Sequence, residues 1–304
     1  MPEILVVGSL NADLVVRAPR FPQPGETISG EDLQVIPGGK GANQAVAAAR
    51  LGANVAMLGR VGKDNFGDFL LNNLKSNHVD VQHVQRDGAS TGTATIIVDS
   101  NGQNSIVLSA GANGKVSTAD VEHASFLHHQ LLLLQLEIPT LTVLRAAQLA
   151  REHNVRVILN PAPAKEIPDE LIALADFIIP NETELSLLTV MDVNDIPSAE
   201  KAARVLLQRG AKHVIVTLGS KGALIVDMDT STHVDTFQVN VVDTTAAGDA
   251  FIGGFAVSLE SSTLVDAVRY GCACGALATT QFGAQPSLPS KTAVEKFLIA
   301  AGNS

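Results

Sequence analysis

The stretch Asp243-Thr-Thr-Ala-Ala-Gly-Asp249 leads into Phe251–Leu259, an apolar, small-residue segment that reads as a buried helix. Gly248 has no Cβ, so the backbone there can come close to a ligand. The free N–H groups of a first helical turn make a site for an anion such as phosphate. Asp249 falls in that same turn, where the helix dipole favours its charged form. An ionised carboxylate beside an anion site suits a general base that takes a proton from a hydroxyl during phosphoryl transfer. The same residues also describe an ordinary helix start with an acidic first turn. Upstream, Pro37-Gly-Gly-Lys-Gly-Ala-Asn43 precedes an alanine-rich helix expected over Gln44–Leu51. Its paired glycines admit a ligand, and Lys40 and Asn43 bring donors to the same place. A glycine turn before a helix is the plainer alternative. A P-loop is excluded, because Lys40 is followed by glycine rather than Ser or Thr.

Smaller polar groups stand where strands should end. Ile4–Gly8 reads as a buried parallel strand, and Ser9-Leu-Asn-Ala-Asp13 follows it. Ligands of open α/β sheets bind at such carboxyl ends. Glu137 closes the strand Leu131–Leu134, and Asn160-Pro-Ala-Pro163 closes Val155–Leu159. Asn181 and Glu184 follow Phe177–Ile179, in a spacing that also fits a helix capping box. Leu218-Gly-Ser-Lys-Gly222 turns the strand Val214–Thr217 into Ala223–Val226, as a nucleotide pocket or as a hairpin. A dinucleotide fingerprint is absent after Gly8.

The elements that must carry these groups alternate strand and helix, which implies a mainly parallel sheet. A strand is expected over Phe237–Val242, making Asp243–Asp249 a strand-to-helix turn. Another is expected at Val55–Leu58, with helices over Asn65–Ser76 and Pro139–His153. Leu14–Arg17, Thr27–Ile36, Thr93–Val98 and Ser105–Leu108 read as exposed strands of a small separate sheet, the last two joined at Asn101-Gly102. The division expected is one α/β domain over 1–304, with a β lid from residues 13–37 and 92–109.

The chain has 304 residues, and its net charge of -10 argues against nucleic-acid and anionic-membrane partners. No apolar run approaches the roughly 20 residues of a membrane span, and no signal-peptide pattern opens the chain. Cys272 and Cys274 lie two apart on an expected helix and should not bridge, which fits a reducing, cytoplasmic compartment. They are read as packing residues. None of the 8 histidines shows metal-ligand spacing beside acidic partners.

Gly-Gly-Lys-Gly-Ala-Asn at 38–43 and Asp-Thr-x-Ala-x-Gly-Asp at 243–249 resemble the two signatures of the ribokinase family of carbohydrate kinases. Asn-Ala-Asp at 11–13, Asn-Pro-Ala-Pro at 160–163, Asn-Glu-Thr-Glu at 181–184 and Gly-Ala-Gln-Pro-Ser at 283–287 agree in order and spacing, so the resemblance spans the chain. It implies a ribokinase-like α/β fold and ATP-dependent phosphorylation of D-ribose at the 5-hydroxyl, giving ribose 5-phosphate. 2-Deoxyribose or another small sugar, and a non-catalytic sugar-binding relative, are the alternatives. By the same resemblance Asn11, Asp13, Gly39, Lys40, Asn43 and Glu137 hold the sugar hydroxyls, and Asp249 is the base. Ala246, Ala247 and Gly248 form the anion hole. Asn181 and Glu184 belong to the nucleotide and its magnesium shell, with Thr217, Gly219, Ser220 and Gly222 cradling the nucleotide beside Gly248. Asp243, Thr245, Ala278, Gln281, Gly283 and Ser287 surround a potassium ion. A homodimer joined through the lids is also implied. The family places a histidine near Cys272, beside the adenine. With 4% aromatic residues and no tryptophan, the chain offers little stacking surface for a nucleoside substrate, and its polar groups suit a sugar.

Overall fold

Both faces of the central strands are apolar, and this sets the layering. The first strand, β1 (Glu3–Val7), sends Ile4 and Val6 into one hydrophobic cluster and Leu5 and Val7 into another. The computed structural model describes every residue except Ser125, Leu127, Asn303 and Ser304. After β1 come β2 (Asn11–Arg17), β3 (Gln34–Gly38), α1 (Lys40–Arg50), β4 (Asn54–Gly62), α2 (Asn65–Ser76), β5 (Val79–Asp87), β6 (Gly92–Val98) and β7 (Asn104–Ser109). Strand and helix then alternate through α3 (Thr118–Glu122), β8 (Leu131–Leu134), α4 (Thr140–Glu152), β9 (Arg156–Leu159), α5 (Asp169–Leu174), β10 (Phe177–Ile178), α6 (Glu182–Thr189), α7 (Ile196–Gln208) and β11 (His213–Thr217). The antiparallel strands β12 (Ala223–Val226) and β13 (Ser231–Val234) follow. The chain closes with α8 (Ala247–Leu259), α9 (Leu264–Ala278), α10 (Ala284–Ser287) and α11 (Lys291–Gly302).

The main sheet has 9 strands in the order β13-β12-β11-β10-β9-β8-β1-β4-β5, parallel from β11 through to β5. In β8, Leu131 and Leu133 join the cluster that holds α1, α8 and α9, while Leu132 and Leu134 join the one that holds α4 and α7. Each fully buried leucine contributes roughly 1.5–3 kcal/mol. Such strands read as unbroken apolar runs because helices cover both faces. A second sheet has the order β3-β2-β6-β7, with β2 and β6 parallel and its two edges antiparallel. The expected fold class, a helix-flanked and mainly parallel sheet with a small β sheet beside it, is the one observed.

Four local expectations change. Phe237–Val242 forms no strand: its backbone runs past the end of α9, where Val242 and Asp243 donate N–H to Thr279 O at 2.7 and 3.1 Å. Of Thr27–Ile36 only Gln34 onward is strand, since β3 pairs with β2 over Val15–Asn11 alone. β5 and β13 are additional strands. Both are sheet edges with polar, partly exposed sequences, so they lack an apolar run. Finally, α1 starts at Lys40, four residues before the expected Gln44. Gly39 enters the helix at φ 90, and a Cβ there would lie 2.7 Å from Asn11 N, so only glycine fits.

Candidate active site

The start of α1 has no capping side chain of its own. Its free N–H groups are met from other parts of the chain instead. Lys40 N donates to Glu137 Oε2 at 3.2 Å, Gly41 N to Ser9 Oγ at 3.4 Å, and Ala42 N to Ser9 O at 2.9 Å. Ser9 Oγ donates to the same Glu137 oxygen at 2.5 Å, and Asn11 Nδ2 reaches it at 3.4 Å. Asn11 is itself held from behind. Asn113 Nδ2 donates to Asn11 Oδ1 at 2.7 Å and to Leu10 O at 3.0 Å, and its Oδ1 accepts from Leu10 N at 2.9 Å.

The first turn of α8 lies against this group. Ala246 enters α8 in the left-handed conformation, φ 59, which costs energy for a residue with a Cβ and turns the chain sharply into the helix. Asp249 is buried. Its Oδ2 accepts from Asn43 Nδ2 at 2.9 Å and its Oδ1 from Gln44 Nε2 at 3.0 Å. The helix dipole alone favours the charged form, but burial overrides it. Desolvation pushes the Asp249 carboxyl above its ordinary value, against the pull of Lys40 and the two amides, with Glu137 adding to the rise. Asp13, on β2, is pushed up to about 7 by burial and by the charges of Glu137 and Asp249. Lys40 answers these carboxylates. Desolvation draws its pKa down, yet Asp249, Glu137 and Glu184 together hold it above the ordinary value. The group is therefore a polar pocket with one lysine among several carboxylates, able to bind hydroxyls and to accept a proton.

Two cavities lie near it. One, of about 550 Å³, is lined by Asn181, Thr217, Gly219, Ser220, Gly222, Ala247 and Gly248, with Phe237, Val239, Phe251 and Cys272 on its apolar side. Nothing lies within 4 Å of the point where Gly248 would carry a Cβ, so a ligand can come close to the start of α8 there, although Ala247 N already donates to Thr244 O at 3.2 Å. The other, of about 1030 Å³, lies under the second sheet and touches Asp13, Asp243, Thr245 and Gly283.

Residues 1–291 match the model of the pfkB family carbohydrate kinases. The chain belongs to the pfkB family of carbohydrate kinases. As a member it is a kinase whose acceptor is an alcohol group. It is 44% identical over 299 residues to a ribokinase of Haemophilus influenzae, with 97% of this chain and 98% of that one covered. It is 41% identical over 300 residues to a deoxyribokinase of Salmonella typhi, with 97% of each covered. Among solved structures it superposes on an Arabidopsis thaliana ribokinase complexed with ribose and ATP with a TM-score of 0.91, at 36% identity, covering 98% of both chains. A Thermotoga maritima ribokinase gives a TM-score of 0.90 at 39% identity, covering 98% of this chain and 100% of that one.

Within this kinase scaffold the sequence-derived candidates fall into three groups. Asn11, Asp13, Gly39, Lys40, Asn43, Glu137 and Asp249 gather around the first turns of α1 and α8. Asn181, Thr217, Gly219, Ser220, Gly222 and Gly248 line the smaller cavity. Glu184 stands one turn back, buried, and forms a true capping box with Asn181. Its Oε2 accepts from Asn181 N at 2.9 Å and its Oε1 from Asn181 Nδ2 at 3.0 Å, while burial pushes its carboxyl up. Of the last group, Asp243, Thr245 and Gly283 are joined directly. Asp243 Oδ1 accepts from Thr245 N and Oγ1 at 2.9 and 2.7 Å, and its Oδ2 accepts from Gly283 N at 2.9 Å. Ala278 O instead accepts from Gln281 N, and Ser287 Oγ donates to Ala284 O. Cys272, expected to pack, is buried but also lines the smaller cavity, and burial pushes its thiol up to about 12. From sequence Ser9 reads only as part of the polar turn after β1, and Gln44, Asn113 and Gln135 escaped sequence reasoning. The available signal was a polar residue inside an apolar run, as at Gln44 among alanines and Gln135 after four leucines.

Proposed function

We propose that the protein transfers the γ-phosphoryl group of ATP to the 5-hydroxyl of D-ribose, giving ribose 5-phosphate. The observation that carries this reading is the position of Asp249. It is buried in the first turn of α8, held by Asn43 and Gln44 on one side, while Ala247 and Gly248 of the same turn line the smaller cavity. In this reading Asn11, Asp13, Gly39, Lys40, Asn43 and Glu137 clamp the sugar, so that one primary hydroxyl meets Asp249. Asp249 takes the hydroxyl proton as oxygen attacks phosphorus. Backbone N–H groups of Ala246, Ala247 and Gly248 receive the charge on the transferring group. Thr217, Gly219, Ser220 and Gly222 cradle the nucleotide.

The residues also suit two ions. The Asn181–Glu184 pair offers hard oxygens to the water shell of a magnesium ion, which when bound would neutralise phosphate charge. Asp243, the carbonyls near Ala278, Gln281 and Gly283, and the hydroxyls of Thr245 and Ser287 are an all-oxygen set, fitting a potassium ion. Asp243 already ties Thr245 to Gly283, so such an ion would stiffen the turn into α8.

We further take residues 1–304 as one α/β domain, Asn303 and Ser304 lying outside the described residues, with the second sheet as its lid. Two copies would join through these lids, because Ile106, Val107 and Leu108 of β7 are 50%, 65% and 49% exposed at one edge of the second sheet, with Leu33 and Val35 exposed at its opposite edge. A cytoplasmic location fits two unbridged thiols, and no helix among the described residues is long and apolar enough to cross a membrane. The deoxyribokinase relative keeps 2-deoxyribose as the second reading. A coupled ATP-consumption assay over ribose, 2-deoxyribose, hexoses and nucleosides tests the proposal. Ribose should give the highest kcat/KM, and absence of transfer to any sugar would refute it.

A further inference from the structure

Gln44 and Gln135 are fully buried and line neither cavity, yet they form a continuous chain of hydrogen bonds ending on Asp249. Gln44 Nε2 donates to Asp249 Oδ1 at 3.0 Å and to Asn160 Oδ1 at 3.3 Å. Gln44 Oε1 accepts from Gln135 Nε2 at 2.6 Å. An amide has a donor end and an acceptor end, and which of them meets a carboxylate decides whether the ionised form is favoured or opposed. The neighbours make that choice here. Gln135 donates to Gln44 Oε1, so the donor end of Gln44 is turned to Asp249. Asn160 is fixed in the same sense, since its Nδ2 donates to Ile179 O at 3.0 Å and leaves Oδ1 to accept.

The arrangement carries a cost. Gln135 Oε1 is buried with no hydrogen-bond partner among the described residues, and such an atom asks for a reason. It lies 2.1 Å from the point where a Cβ on Gly8 would sit, so a side chain at position 8 would displace it. A leucine at 135 would continue the run of β8 and leave no orphaned oxygen. The glutamine is explained if its other end is needed.

We propose that Gln135 and Gln44 form a buried amide relay that holds Asp249 ionised and aligned for proton abstraction. Gln44 is the positioning residue of the base, and Gln135 fixes the orientation of Gln44. The inference rests on the reading of Asp249 as the base. The other groups facing Asp249 are Lys40 and Asn43 from α1, Glu137 beyond β8, Asp13 from β2 and Glu184 from α6. Lys40 stays partly exposed to the crevice and Asp13 borders a cavity, so arriving ligands change their surroundings. The relay lies apart from both cavities. Burial raises the carboxyl, and the relay opposes that rise from the side away from solvent.

The test is the pH profile of kcat at saturating sugar and magnesium ATP, with melting temperature as a check on folding. Gln44→Met should move the acid limb to higher pH by about 1–2 units, the worth of one donor to a charged group. Gln135→Met should move it in the same direction by a smaller amount, although Gln135 makes no contact with Asp249. Should the Gln44 variant not fold, Gln135→Met decides alone. A limb at its wild-type position in Gln135→Met, or an equal loss of kcat at every pH, overturns the relay. Asp249→Asn separates the two readings. Near-normal turnover there overturns the base and the relay together, whereas its loss beside an unmoved limb overturns the relay alone.

Discussion

Burying Asp13 beside Glu137 and Asp249 costs the fold stability, and replacing it by asparagine measures by how much. The residue is 8% exposed and faces Glu137 and Asp249, and burial with these charges pushes it from 3.8 up to about 7. A carboxyl group with a folded-state pKa above its unfolded value binds more protons when folded. Its contribution to stability therefore falls as pH rises from about 4 to about 7 and stays at the lower level above that. The span from 3.8 to about 7 corresponds to roughly 4 kcal/mol, at ~1.36 kcal/mol per pH unit. Asp13 lines a cavity, and solvent access there would screen part of this, so we take ~2–4 kcal/mol. Unfolding entropy of ~2.1 cal/mol/K per residue over 304 residues is ~0.6 kcal/mol/K, which converts that range into ~3–6 °C in Tm. Asp13→Asn should thus melt ~3–6 °C above the parent at pH 8, with the gap shrinking steadily as pH falls towards 4. The same variant should bind ribose roughly 10–200-fold more weakly, since a hydrogen bond to a charged group is lost. Calorimetry across this pH range and sugar titration give both numbers. A Tm difference that does not change with pH, or a variant less stable than the parent at pH 8, would refute the reasoning.

Three further outcomes follow from the site. Asp249→Asn should lower kcat by about 10²–10⁴-fold while sugar binding by calorimetry stays within a few-fold, and near-normal turnover would sink its role. Potassium should raise turnover where tetramethylammonium at equal ionic strength does not, and Asp243→Ala should lose that response together with activity worth roughly 3–4 kcal/mol of barrier. Equal rates in the two salts would count against the cation site. Val107→Lys on the exposed β7 should convert a dimer into monomers in sedimentation velocity, and a parent already monomeric at micromolar concentration would remove the lid-to-lid interface.

The sheet was legible because its strands are buried on both faces. Ile4–Val7 and Leu131–Leu134 can be little else than central strands once helices alternate with them. The glycine-bearing turn at 38–43 was legible because tight backbone packing restricts residue type, a Cβ on Gly39 or Gly41 lying 2.7 Å from the backbone N of Asn11 or Ser9. What failed was whatever depended on partners distant in sequence. Phe237–Val242 alternates like a strand but lies against the end of α9. Polar side chains hid β5 at the sheet edge. The rise in Asp249 could not be read from a helix start, because the dipole is local and the burial that overrides it is assembled by α1 and α8 together.

The missing cap on α1 bears on how the molecule folds. The N–H groups of that helix start wait for Ser9, 32 residues away from Gly41, and for Glu137, 97 residues beyond Lys40. Asn43 and Gln44 reach Asp249 over separations of 206 and 205 residues. Closing such loops carries an entropy cost that is recovered only once they close, so the contacts that complete the first turn of α1 depend on β1, β8 and α8 being in place. No contiguous fragment holds the site. A nascent chain that stops short of Asp249 exposes a half-made pocket, and the glycine-lysine motif, for all its recognisability, is no independent module.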